Sequence, residues 1–137
     1  MPSSPIAILG ASSSAPTKAT LTTALAGANN DILWTAVAPG TGGNSLTIQY
    51  TISGSAPVSI ATVGSAPYTG LLITGGTATT AQQIVDALRN ASAAVKSVAE
   101  AAIAPGNDGT GAVVTLAATN LAGGTGTLPS PPPSVLG

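Results

Sequence analysis

The chain has no cysteine, no histidine and no phenylalanine. Without cysteine it forms no disulfide, carries no thiolate nucleophile and offers no Cys-ligated metal site. Without histidine it loses the commonest general base and metal ligand, and a His-based catalytic triad is excluded. Charge is almost as scarce: three Lys or Arg and four Asp or Glu in 137 residues. The three cations, Lys18, Arg89 and Lys96, are scattered, whereas neutralising phosphates needs clustered Lys and Arg; no nucleic-acid partner is expected. Charged residues make up 5% of the sequence, against about 25% in most soluble domains. With a net charge of −1, such a surface tends to associate, which predicts a surface largely covered by partners. Long apolar runs are also missing. Thr, Ser, Gly and Pro interrupt every stretch before it reaches the ~18–20 residues that span a bilayer, so no membrane span is expected. Met1-Pro2-Ser3-Ser4-Pro5 has no basic residue and reads poorly as a signal peptide; Ile6–Leu9 is a short apolar patch. Trp34, Tyr50 and Tyr68 are the only aromatics, leaving a core of small aliphatics and few anchors for a ligand pocket.

What is present divides the sequence into a patterned centre and two unpatterned ends. Residues 1–30 are rich in Ser, Ala, Thr and Pro, and read as an extended N-terminal arm in which Pro5 and Pro16 restrict the backbone; Leu21–Leu25 adds a strand or a turn of helix. Ile32–Ala38 reads as the first firm strand, ended by Pro39-Gly40. After the loop 40–44, Leu46, Ile48, Tyr50 and Ile52 alternate with Thr47, Gln49 and Thr51 over Ser45–Ser53, the period of a half-buried strand. These two segments read as a β-hairpin closed by a Gly-rich loop. Val58–Val63 alternates again, and Leu71–Thr74 is a short apolar strand or the extended lead into a helix. Thr79 or Thr80 followed by Gln82 or Gln83 marks a capping box. Beyond it Ile84, Leu88, Ala91, Val95 and Val98 form a helical apolar stripe ending near Ala99. Asp86 with Arg89, and Lys96 with Glu100, fall at ion-pair spacing. Glu100–Ala104 and Ala112–Ala118 read as the last strands, separated by a turn at Asn107-Asp108-Gly109. The expected fold is α+β: a mainly antiparallel sheet with one helix packed on one face, plus extended N- and C-terminal arms. The interaction domain is read as 31–124. From Thr125 to Gly137, with Pro129 and Pro131–Pro133, a polyproline-like C-terminal arm is expected.

Three segments carry a resemblance. Thr35-Ala36-Val37-Ala38-Pro39-Gly40-Thr41-Gly42-Gly43-Asn44-Ser45-Leu46-Thr47-Ile48 resembles a strand, Gly-Asn loop and strand common in tailed-phage virion proteins. Thr79-Thr80-Ala81-Gln82-Gln83-Ile84 and Thr119-Asn120-Leu121-Ala122-Gly123-Gly124-Thr125 are similar to later parts of the same module. The likeness covers about residues 31–125. It implies a structural virion protein: a head decoration or cement protein that binds the major capsid protein and copies of itself, as a trimer on the capsid surface. The alternatives are a phage tail or tail-tube component, and a cell-surface or flagellar interaction module. In a cement protein the arms lace neighbouring subunits, so the expected partner-binding residues are Ile6, Ile8, Leu9, Pro129, Pro131, Val135 and Leu136.

No enzyme, cofactor or metal site is expected. The loop 40–44 lacks the Gly-Lys-Ser or Gly-Lys-Thr of a phosphate cradle and leads into a strand rather than a helix. Thr74–Thr77 precedes a helix, but no cation lies near it to favour an anion. Asp31, Asp86, Glu100 and Asp108 do not pair as glycosidase carboxylates would. Asn107-Asp108-Gly109 lacks the remaining ligands of a calcium loop. Trp34 is read as core rather than as a binding anchor.

Overall fold

Alternating burial sets the framework of the molecule. In Ile32–Ala36 the side chains of Ile32, Trp34 and Ala36 are fully buried, while Leu33 and Thr35 between them are half-buried. A computed structural model describes residues 15–126. In order they form β1 (Thr20–Thr22), β2 (Ile32–Ala36), a short 3-10 turn (Thr41–Ser45), β3 (Thr47–Ile52), β4 (Ser59–Val63) and β5 (Gly70–Gly75). Helix α1 (Ala81–Arg89), helix α2 (Ala93–Lys96), β6 (Ala99–Ile103) and β7 (Leu116–Asn120) follow. The fold is α+β with mainly antiparallel pairing, as expected. The strands divide into two sheets, ordered β1-β2-β6 and β4-β5-β3-β7. Among the described residues only β3 and β5 pair in parallel; β4 lies outside β5 and runs antiparallel to it.

The hairpin expected across loop 40–44 is absent. β2 pairs with β1 and β6, whereas β3 pairs with β5 and β7, so the loop leads from one sheet to the other. Burial explains the choice. Trp34 on β2 and Tyr50 on β3 are both fully buried. Their rings meet edge to face with centroids 6.4 Å apart, and the Trp34 indole N–H donates to the Tyr50 hydroxyl at 3.0 Å. Each amphipathic aromatic thereby satisfies the polar group of the other in the interior. Trp34 is a core residue.

The apolar stripe on the helix is buried, but the helix is not continuous. Thr80 caps α1 with the expected reciprocal box to Gln83. The helix stops at Asn90, whose side-chain amide donates back to the Asp86 carbonyl at 3.0 Å. Ser92 then caps a second, one-turn helix through the Val95 N–H. Two side chains that bond the backbone locally lie close together here, and such residues favour caps over helix interiors. The break leaves the stripe inside: Ile84, Leu88, Val95 and Val98 are buried and Ala91 is half-buried, with Val85 buried beside them, against β6 and β4. The expected Lys96–Glu100 pair does not form, because α2 ends at Lys96 and the backbone passes through Ser97 into β6. Glu100 sits on β6 and reaches Lys18 at 3.9 Å, an exposed pair that contributes little. Asp86 and Arg89 do pair, at 3.1 Å.

Most strand limits shift by one or two residues from the sequence reading, and the first and last strands differ most. The last strand starts at Leu116 rather than Ala112. The stretch before it docks on the start of α1: Val113 N–H donates to the Thr79 carbonyl at 2.8 Å, and Val113 is buried. At the other end Thr20–Thr22 is an edge strand on β2, so the inner part of the segment 1–30 is built into the sheet, with Ala19 fully buried.

Burial pushes the Tyr50 phenol well above its ordinary value; the indole hydrogen bond opposes that shift and the charge of Asp31 adds to it. The folded protein therefore holds this proton more tightly than the unfolded protein. The resulting stability is complete below the ordinary tyrosine pKa of about 10 and is lost as pH rises beyond it. Tyr50→Phe leaves the buried indole N–H without an acceptor and should cost about 1–3 kcal/mol near neutrality. That gap should narrow as pH is raised from about 9 to about 11, in paired urea titrations of the two proteins. A gap that stays constant with pH would show that the phenolate forms without cost.

Candidate functional site: a clamp joining both ends of the domain

The Gly-rich loop 40–44 does its work against two segments far from it in sequence, 15–20 and 122–126. Thr17 and Thr125 pair antiparallel. Thr17 N–H donates to the Thr125 carbonyl at 3.0 Å, and Thr125 N–H to the Thr17 carbonyl at 3.3 Å. Their hydroxyls lie 2.7 Å apart, and the Thr17 hydroxyl also donates to the Gly123 carbonyl at 2.9 Å. Three residues further in, Thr20 and Ala122 exchange both backbone bonds, at 2.8 and 2.9 Å.

The loop locks this pair from the side. Gly40 N–H donates to the Thr17 carbonyl at 2.8 Å and Thr41 N–H to the Gly126 carbonyl at 3.0 Å. Asn44 forms a two-point contact with Gly124: its amide donates to the Gly124 carbonyl at 2.9 Å, and its own oxygen accepts from Gly124 N–H at 2.8 Å. The amide thus imitates a strand partner. Close approach explains two of the glycines. A Cβ on Gly43 would lie 2.9 Å from that of Ala19 and 3.0 Å from that of Ala36, and one on Gly124 would collide with the Gly40 carbonyl oxygen.

Replacing Asn44 by Ala removes both halves of this contact and leaves the Gly124 N–H and C=O without partners. The expected cost is about 1–3 kcal/mol, with faster amide hydrogen exchange at Gly124 and Thr125 and little change in β3. Asn44→Asp keeps the acceptor and should fall between the two. Equal exchange rates at Gly124 in wild type and Asn44→Ala would show that the contact holds nothing.

The expected partner-binding residues Ile6, Ile8, Leu9, Pro129, Pro131, Val135 and Leu136 all lie outside the described residues. What is described is where their segments attach: Ala15 and Gly126, the first and last described residues, both lie next to the clamped Thr17–Thr125 pair. Sequence reading gives loop 40–44 as a structural turn and misses its role in joining the ends. The only local signal is composition: Gly-Asn in the loop and Gly123-Gly124 in the last segment are small residues that allow close backbone approach.

The carboxylates are engaged locally. Asp31 accepts from the Thr23 hydroxyl at 2.9 Å and from Leu25 N–H at 2.8 Å, tying down the turn before β2. Asp86 accepts from Gln82 and Arg89. Asp108 accepts from the backbone and hydroxyl of Thr110, which hold its carboxyl below the ordinary range. Among the described residues no three potential ligand side chains gather as a metal site would require, and no helix is long and apolar enough to cross a membrane. The first N–H groups of α1 are taken up internally: Ala81 donates to Gly111, Gln82 to Gly109 and Gln83 to the Thr80 hydroxyl. That leaves no free donors there for an anion. A groove of about 570 Å³ runs between the Gly54–Val58 turn and the outer face of α1, and its one carboxylate, Asp86, is already paired with Arg89.

No protein-family model, curated protein or solved structure matches this sequence.

Proposed function

We propose that the protein is a non-catalytic structural subunit of a tailed-phage virion. In this reading it decorates and stabilises the head by binding the major capsid protein and copies of itself as a trimer. The observation that carries the reading is the clamp. Two uncharged segments, 1–14 and 127–137, have no sequence pattern able to build a core of their own. Both attach at one point on a body made rigid by Asn44 and Thr17. A subunit built in this way can present two linear segments to the same neighbour or to adjacent neighbours, with a firm anchor behind them. The low charge of the whole sequence supports the same reading, because a surface of that kind is suited to lasting contact with protein.

Copy number and location in purified particles test it. The protein should be recovered with heads, in numbers that follow the capsid lattice. Recovery with isolated tails instead would favour a tail component, and absence from particles would end the virion reading. The non-catalytic part has its own test. Asp86→Asn, Glu100→Gln and Asp108→Asn combined should leave particle binding unchanged. A hydrolytic activity present in the wild type and lost in that variant would overturn it.

A further inference from the structure

The fold carries a second groove, of about 340 Å³, lined by Pro39, Gly42, Leu46, Pro67, Tyr68 and Val98 among others. Three observations single it out. Among the described residues no charged side group lines it, whereas the groove along α1 contains Asp86 and a third, by β6, contains Arg89, Lys96 and Glu100. It holds the half-buried Tyr68 beside prolines and aliphatics, the kind of aromatic-lined surface on which polyproline segments dock. And its Gly42 wall belongs to the clamp loop, whose neighbouring Thr41 N–H holds the Gly126 carbonyl at 3.0 Å.

The sequence that continues from Gly126 is Thr127-Leu128-Pro129-Ser130-Pro131-Pro132-Pro133-Ser134-Val135-Leu136-Gly137. It is uncharged and proline-rich, and in polyproline form it reaches about 34 Å. We infer that the Tyr68 groove is the docking site of the protein's own C-terminal segment, 127–137. The groove and the segment match in chemistry, both being apolar and uncharged. The segment also starts at a residue held by Thr41, next in sequence to Gly42 of the groove wall, so it is present there at the high effective concentration of a short tether. Proline lowers the conformational entropy lost on seating. In the isolated subunit the segment covers its own groove, which makes its release, or its exchange with a neighbour's, a step in assembly. The inference goes beyond the virion reading and does not depend on it, since it is read on the free protein.

The absence of cysteine provides a clean test. A spin label on Ser134→Cys in the full-length protein is unique. It should strongly attenuate the amide signals of Leu46, Tyr68 and Val98, more than those of Lys18 and Ala122 around the root of the segment. The attenuation should persist on dilution. Tyr68→Ala should abolish the preference for the groove and Tyr68→Phe should retain it. Even attenuation around Gly126 that Tyr68→Ala does not change would overturn the inference. So would attenuation that fades on dilution and appears on unlabelled protein mixed with labelled protein, which would assign the groove to the segment of another copy. The dilution series decides the matter on the native groove, whatever Tyr68→Ala does to folding.

Discussion

Trp34→Ala is expected to destabilise the folded protein by about 3–5 kcal/mol, a large share of the roughly 5–15 kcal/mol that holds a domain together. Three effects combine. The indole is the largest fully buried side group, and the sequence has no phenylalanine to move into the space. The small aliphatics around it are held by two sheets and a helix, so the cavity relaxes poorly. Removing the indole also leaves the Tyr50 hydroxyl buried without its donor, a cost that falls on the partner rather than on Trp34 itself. Urea unfolding followed by circular dichroism reads the loss directly, and a midpoint within error of wild type would show that the two sheets do not depend on this contact.

Leu88→Ala should cost about 2–5 kcal/mol. Leu88 is 6% exposed and belongs to the main core cluster with Ile84, Val85 and Val95. Helix α1 has nine residues, too few to be stable alone in water, so it is held by what it buries. Loss of Leu88 should therefore loosen α1 and α2 together, while the clamp at Thr17 and Thr125 keeps its protection. Hydrogen exchange separates the two regions. Equal loss of protection in both would mean that the domain opens as one unit, and an unchanged unfolding midpoint would mean that the stripe is not buried.

Local structure is legible in the sequence wherever one segment decides it alone. The Thr80–Gln83 box, the alternation through Tyr50 and the buried stripe from Ile84 to Val98 all follow from spacing. Pairing is harder to read. Alternation says which face of β3 is buried but not which strand lies beside it, and the short loop 40–44 suggests a hairpin where the backbone changes sheets. Apolar spacing continues past Asn90 and Ser92, so spacing alone predicts one helix; their capping side groups divide it in two. The clamp is the least legible part. Asn44 and Gly124 are 80 residues apart, and nothing in either segment names the other.

The pairing of Thr17 with Thr125 also sets how the domain bears mechanical load. Because the two segments run antiparallel, the backbone leading into Thr17 and the backbone leading out of Thr125 point the same way. Tension drawing the two ends apart meets the pair as a zipper: the Thr17–Thr125 bonds open first and the Thr20–Ala122 bonds after them, one set at a time. Tension between the N-terminal end and the body instead loads β1 along its length, where the bonds to β2 resist together, and tension between the C-terminal end and the body loads β7 along its bonds to β3. The domain therefore opens bond by bond when its two ends are pulled apart and resists with several bonds at once when one end is pulled against the body.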